Sequence, residues 1–206
     1  MPNWSNNRIT LYENHELEGT GFYNEDGDKK KDYRIKDIYD TFLRDITSEQ
    51  EGKTYTNLMD IMPCPDILTK VHASTPPYLL KDRETGEFLT QSLEKTDEER
   101  NAEKIVIEEG TDIYNELMEK YGVLTWYDWN VKNWGTKWST HVDNVEVDEY
   151  NLVFWCSTAW SPPNGLLQFI ANKYKVDVEC FYEIEGYGDE GVGKDTFEPE
   201  LEDIEV

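Results

Sequence analysis

Between Asn144 and Ile184 the hydrophobic period changes twice, and this constrains the fold more than any other feature of the chain. In Asn144–Glu149, Val145 and Val147 alternate with acids, the period of a half-buried strand. Asn151–Thr158 contains the nearly unbroken apolar run Leu152-Val-Phe-Trp-Cys156, which suits a central strand. The two read as a pair joined near Asp148-Glu149-Tyr150. Pro162-Pro163 then opens a helix over about Pro163–Tyr174, because proline is tolerated in a first turn. Leu166, Leu167, Phe169 and Ile170 form its buried stripe. In Val176–Ile184 the period returns to two, with Val176, Val178, Cys180, Tyr182 and Ile184 on one face. Strand, strand, helix, strand is the resulting order.

The first part of the chain supplies a strand and a helix before them. Ile9 and Leu11 alternate with polar residues in Asn7–Tyr12, and Trp4 just ahead reads as a plug at one sheet end. Glu13–Lys31 is polar and rich in turn formers, so it reads as loop. Over Tyr33–Thr47, Ile35, Ile38, Tyr39, Phe42, Leu43 and Ile46 recur at spacings of three and four, the stripe of an amphipathic helix. Thr54–Ile61 reads as a short extended segment ended by Met62-Pro-Cys-Pro65, where two prolines interrupt regular structure. From there to Glu94 the chain reads as connection with one short helical turn. Thr96-Asp-Glu-Glu99 has the form of a helix N-terminal box, and a long helix broken near Gly110 is expected to reach Tyr121, with Gly122 as its stop.

The complete order is β-α-β-β-α-β with an interruption. It predicts an α+β, ferredoxin-like split βαβ sandwich with both helices on one sheet face and a long, mostly helical acidic insertion. One domain is expected over residues 1–190, with the insertion at about 66–120. Nine acids against one lysine in Glu185–Val206 make 191–206 an expected flexible tail.

Charge narrows the function. Over 206 residues the formal charge is −24, which repels nucleic-acid phosphates and anionic membrane surfaces and favours basic partners. Between Glu94 and Glu119 stand ten acids against Lys95, Arg100 and Lys104. Cys64, Cys156 and Cys180 are odd in number and far apart, which argues against a disulfide scaffold and suits a reducing compartment. The start of the chain does not have a signal-peptide pattern, and no apolar run reaches the roughly 20 residues of a membrane span. A soluble protein is expected. His15, His72 and His141 lack metal-ligand spacing, Asp26, Asp28 and Asp189 lack a calcium loop, and no phosphate loop or nucleophile motif is present. Neither cofactor nor metal is expected.

A dense aromatic segment remains. Four of the seven tryptophans fall within Trp126–Trp138, and Trp155 and Trp160 follow. Such a cluster is either core or binding surface. The candidate binding residues are Trp126, Tyr127, Asp128, Trp129, Asn130, Asn133, Trp134, Lys137, Trp138 and Trp160. As catalysis, Asp128 would be a base and Lys137 an oxyanion partner. As structure, Asp and Asn cap turns, Gly135 permits a tight turn and Lys137 balances a carboxylate. The structural role leads, and no catalytic residue is assigned.

Met1-Pro-Asn-Trp4, Met62-Pro-Cys-Pro65, Trp126-Tyr-Asp-Trp-Asn130, Asn133-Trp-Gly-Thr-Lys-Trp138 and Thr158-Ala-Trp-Ser-Pro-Pro163 together resemble proteins with a YubB-type ferredoxin-like domain. These occur mainly in phages, prophages and plasmids. Ser5 stands where members often carry cysteine, and residues 13–57 and 94–119 are individual to this chain. The resemblance implies a ferredoxin-like fold without an iron–sulfur cluster, and carries no activity with it.

The expected function is that of a non-enzymatic accessory protein of a phage or mobile element, acting by protein–protein contact in the host cytoplasm. Its partner is expected to be a host protein, basic or part of a defence system that it hinders or that senses it. The alternatives are an acidic mimic of nucleic acid that blocks a basic host protein, and an enzyme acting on a small substrate at the tryptophan cluster. Direct nucleic-acid or membrane binding is not expected, and oligomeric state is left open.

Overall fold

A computed structural model describes residues 3–13, 34–50, 52–91, 101–148 and 150–200. In chain order the elements are β1 (Trp4–Glu13), α1 (Arg34–Ile46), β2 (Thr47–Gln50) and β3 (Lys53–Thr56), followed by a 3-10 turn at Leu58–Ile61. Next come α2 (Asp66–Lys70), β4 (Tyr78–Lys81), β5 (Glu103–Val106), α3 (Asp112–Tyr121) and α4 (Trp126–Asn133). The chain continues with β6 (Val142–Val147), β7 (Asn151–Ala159), α5 (Asn164–Tyr174) and β8 (Val176–Ile184), then β9 (Val192–Phe197) after a short 3-10 turn.

These elements fall into two compact units. One combines Met1–Met62 with Trp134–Val206, and the other is Pro63–Asn133. The first holds a five-stranded sheet in the order β6-β7-β1-β8-β9, with every neighbouring pair antiparallel. Alternation along β1 sends Ile9 and Leu11 to the same face as Leu152 and Phe154 of β7 and Val176 and Val178 of β8, and all six are buried. Helices α1 and α5 cover that face. Phe42 of α1 lies 4.9 Å, ring centre to ring centre, from Phe154 and 6.2 Å from Tyr174 of α5.

A polar clasp ties the two helices. The Tyr174 hydroxyl donates to Asp45 Oδ2 at 2.8 Å, and Lys173 Nζ sits 2.9 Å from the same oxygen. Burial pushes the Asp45 carboxyl up, but the hydrogen bonds from Lys173 and Tyr174 outweigh it and hold it below the ordinary value.

The helix over Tyr33–Thr47, the strand pair, the helix from Pro163 and the strand Val176–Ile184 stand where their periodicities put them, but Phe169, expected in the buried stripe with Leu166, Leu167 and Ile170, is exposed. Other expectations are corrected. The Thr54–Ile61 segment divides into strand and 3-10 turn, because the Asn57 side chain accepts from the amide of Met59 and starts a turn there. Among the described residues of the stretch 96–121 the expected long helix is interrupted by a strand, so the described part of the insertion is not mostly helical. The β-branched run Ile105-Val106-Ile107 prefers extended backbone, and residues 103–106 pair with Tyr78–Lys81 as a two-stranded sheet. Lys104 Nζ lies 4.0 Å above the Tyr78 ring in that pairing. Asp112–Tyr121 is helical, capped by Thr111 and stopped by Gly122 in the left-handed region.

Far from forming a loose tail, residues 192–197 pair with β8 and extend the sheet. Their polar sequence suits an edge strand, and Lys194 Nζ reaches Glu179 Oε2 at 2.5 Å. The loop expected at Glu13–Lys31 (beyond Glu13 itself), the box at Thr96 and the last residues of the tail lie outside the described residues.

Phe42→Ala removes a fully buried ring from the junction of sheet and two helices. It is expected to cost about 3–5 kcal/mol of unfolding free energy, read from urea denaturation. The Asp45 clasp predicts a pH signature with a definite sign. A carboxylate depressed in the folded state adds stability above its unfolded pKa of about 3.9 and loses it as pH falls through the lower folded value. The stability gap between the wild type and Asp45→Asn is therefore expected to stay constant from neutral pH to about pH 5 and to shrink below pH 4, as followed by acid titration of thermal unfolding.

Candidate functional site

The thirteen-residue aromatic segment divides between the two units at Asn133/Trp134. In the Pro63–Asn133 unit, Trp126–Asn133 is helix α4, and its polar residues mostly serve the helix. The Thr125 hydroxyl accepts from the Asp128 amide at 3.2 Å and donates to Asp128 Oδ2 at 2.7 Å. Thr125 thus caps the helix through its hydroxyl, and Asp128 is engaged in holding that cap. Asn133 Nδ2 donates to the Trp129 carbonyl at 2.8 Å near the helix end. Trp129 and Asn130 are buried, whereas Tyr127 is exposed and meets Trp126 edge to face at 6.0 Å.

In the other unit, Trp134 is buried and donates its indole N–H to the Met62 carbonyl at 2.8 Å. The loop that follows is strapped to the end of β7 and the start of α5. Thr136 Oγ1 donates to the Ala159 carbonyl at 2.9 Å, Ser161 Oγ to the Gly135 carbonyl at 2.6 Å, and the Leu166 amide to the Trp134 carbonyl at 3.3 Å. Gly135 has φ +85°, and a Cβ there would stand 3.1 Å from the Asn164 amide nitrogen, so both conformation and space demand glycine.

This scaffold holds up an exposed row of three tryptophans. Trp138 lies 6.5 Å from Trp4 and 6.1 Å from Trp160, and the three are 37%, 38% and 46% exposed respectively. Lys137 Nζ is 4.5 Å from the Trp138 ring and 5.1 Å from the Trp160 ring, within cation–π range. Trp160 has φ 69°, a conformation costing a residue with a side chain on the order of 1 kcal/mol or more. Its amide is held by the Asn3 carbonyl at 2.9 Å. Beneath the row, Asn7 Nδ2 donates to Ser5 O, Cys156 O and Thr158 Oγ1 at 2.9, 3.1 and 2.9 Å, all buried.

A cleft of about 420 Å³ begins at Trp4 and is lined by Asn6, His141, Asp143, Ser157 and Glu185 among others. A smaller one of about 200 Å³, with Tyr55, Asn57 and Asp60 in its wall, shares Ser139, Thr140 and His141 with it. The shared ridge is stitched to the β3 end. Leu58 N donates to the Thr140 carbonyl at 3.0 Å, and His141 Nδ1 lies 2.6 Å from the Thr56 carbonyl oxygen. Asp60 is raised above the ordinary carboxylate value by burial, against an opposing hydrogen bond from Asn57.

The sheet face opposite the helices continues this surface. Arg8 stands between Trp155 and Phe181 in register, with its guanidinium carbon 6.0 Å from the Trp155 ring centre. Among the sequence-derived candidates, Lys137, Trp138 and Trp160 share one exposed surface, and Trp134 supports it from the core. Trp4 joins them as a member of the row, where a plug at the sheet end was expected. Asn6, Asp143, Ser157 and Glu185 were not singled out from sequence. Period-two alternation places Trp4, Asn6 and Arg8 on one face, but no local signal brings Asp143 and Glu185 beside them.

Among the described residues no group of three or more His, Cys, Asp or Glu side chains could hold a metal, and no helix is long and apolar enough to cross a membrane. Burial raises all three thiols, Cys64 to about 11 and Cys180 to about 12, so none offers a ready thiolate at neutral pH.

Residues 133–205 match the family model described as a ferredoxin-like domain in Api92-like protein. The matched stretch carries the Trp134–Trp138 loop, β6, β7, α5, β8 and β9, so the added edge strand lies inside it. This supports a ferredoxin-like, mixed α/β domain with an antiparallel sheet. No curated protein and no solved structure matches the chain.

The capping role of Thr125 and Asp128 has a measurable consequence. Thr125→Ala is expected to lower unfolding free energy by about 1 kcal/mol in urea denaturation, and Asp128→Asn, which keeps an acceptor oxygen, by less.

Proposed function

We propose that the chain is a non-enzymatic docking protein whose working surface is the Trp4–Trp138–Trp160 row, and whose partner is a protein with a basic contact face. The observation that carries this is the row itself. Three neighbouring indoles, one on the central strand and two on loops tied to each other by hydrogen bonds, are left exposed, with one of them in a strained backbone conformation. Pre-organised aromatic anchors are what binding hot spots are made of, and strain of this kind concentrates at working sites. The charge of −24 selects a basic partner and speeds encounter with it.

The finer reading makes the entire Met1–Met62 and Trp134–Val206 unit a β-α-β-β-α-β ferredoxin-like domain with an added edge strand and the Pro63–Asn133 unit as its insertion. It also places the protein in a phage or other mobile element, at work in the host cytoplasm against or under the watch of a defence system. The resemblance to YubB-type proteins supports that origin. Mimicry of nucleic acid differs from this reading in where affinity resides, in the distributed charge and not in the indoles.

The test compares capture of host proteins by the wild type and by Trp138→Ser/Trp160→Ser, in low salt and in about 0.5 M salt, where exposed charge pairs are screened. Docking through the row predicts a specific partner lost with the double variant at both salt levels while circular dichroism is unchanged. A partner retained by the double variant but released by salt or by duplex DNA would establish mimicry instead.

A further inference from the structure

We propose that the cleft beside Trp4 receives an arginine side chain of the basic partner. This rests on the docking reading and names what the partner must present. The argument is one of hydrogen-bond supply. Guanidinium has five N–H donors in a plane, no acceptor, and a face that stacks on aromatic rings.

The cleft is built to the opposite specification. Two of its lining side chains, Asp143 and Glu185, are carboxylates, and no lysine or arginine is among its lining residues. Glu185 is pinned to the backbone of Trp4 by reciprocal bonds. Its amide donates to the Trp4 carbonyl at 2.8 Å and its Oε2 accepts from the Trp4 amide at 3.1 Å. The carboxylate is therefore fixed to the backbone of Trp4, and both residues line the cleft.

His141 spends a ring donor within the protein. A carbonyl oxygen has no proton to give, so the 2.6 Å contact with Thr56 O places a ring proton on Nδ1. Two potential donors are spent within the wall, since Thr140 Oγ1 donates to the Ser157 carbonyl at 2.5 Å and Ser157 Oγ donates to Asn6 Oδ1 at 2.9 Å. A sugar or other polyol needs donors and acceptors in comparable number, whereas this wall is rich in acceptors. An indole face beside a fixed carboxylate, in a strongly negative chain, fits a planar cation.

The test is an NMR titration of the full chain, observing indole N–H signals, with the peptide Gly-Gly-Arg-Gly-Gly and its citrulline counterpart, which keeps the shape and loses the charge. Methyl glucoside serves as the polyol probe. Saturable shifts of the Trp4 indole are expected with the arginine peptide, and binding about tenfold or more weaker with citrulline. The same loss is expected in Asp143→Asn/Glu185→Gln, whose glutamine keeps an acceptor for the Trp4 amide, with unchanged circular dichroism. Equal binding of the citrulline peptide, preferential binding of methyl glucoside, or indifference to the carboxamide pair overturns the proposal.

The two readings fail separately. If the carboxamide pair captures the partner as the wild type does while Trp138→Ser/Trp160→Ser does not, docking stands and the arginine site falls. If the tryptophan pair is dispensable for capture while the arginine peptide still binds, the docking reading falls.

Discussion

Asn7 sits in the middle of β1 with its side chain buried and almost fully used. Its amide nitrogen serves the Ser5 carbonyl, the Cys156 carbonyl and the Thr158 hydroxyl, while its carbonyl oxygen accepts from Ser5 Oγ. Thr158 passes the network on by donating to the Ser161 carbonyl at 2.7 Å. A buried amide left unsatisfied would be costly, so the β1–β7 register and the turn after β7 are specified together. The tryptophan row depends on that turn. Trp160 leaves β7 in its left-handed conformation at this point, and the Trp134–Trp138 loop is tied to Ala159 and Ser161 on either side of it.

The surface that results is rigid where it is apolar. Trp138 and Trp160 come from two loops that hydrogen-bond to each other, and Trp4 comes from the central strand of the sheet. Rings held this way lose little conformational freedom on binding, which is the main way a small aromatic patch gains affinity. The cleft that begins at Trp4 continues the same logic in polar form, with Glu185 locked to the first residue of β1 and His141 tied to the end of β3.

Much of unit one was legible because its elements bury one face each. Where one face is buried, the apolar period must match the geometry of the element, and the stripe Ile35–Ile46 or the alternation Val176–Cys180 leaves no second reading. The acidic insertion escaped this logic. Charge is compatible with helix or strand, and it was the pairing of Glu103–Val106 with Tyr78–Lys81 that decided for strand. Strand β9 escaped it too, because an edge strand draws its order from the ladder with β8 and buries little of its own.

The sequence by itself determined the order strand, helix, strand pair, helix, strand, most of the core residues that follow from it, and the concentration of tryptophan. It also determined the negative field, since charge is a sum over residues whatever their positions. Only the tertiary structure decided which tryptophans are core and which are surface. Trp129 and Trp134 are buried, while Trp138 and Trp160 are presented beside Trp4, more than 130 residues away in the chain. The corner of Trp4, Asp143 and Glu185 was likewise beyond the sequence. Each of its residues is unremarkable in its own segment, and only strand register and the strapped loop bring them to one place.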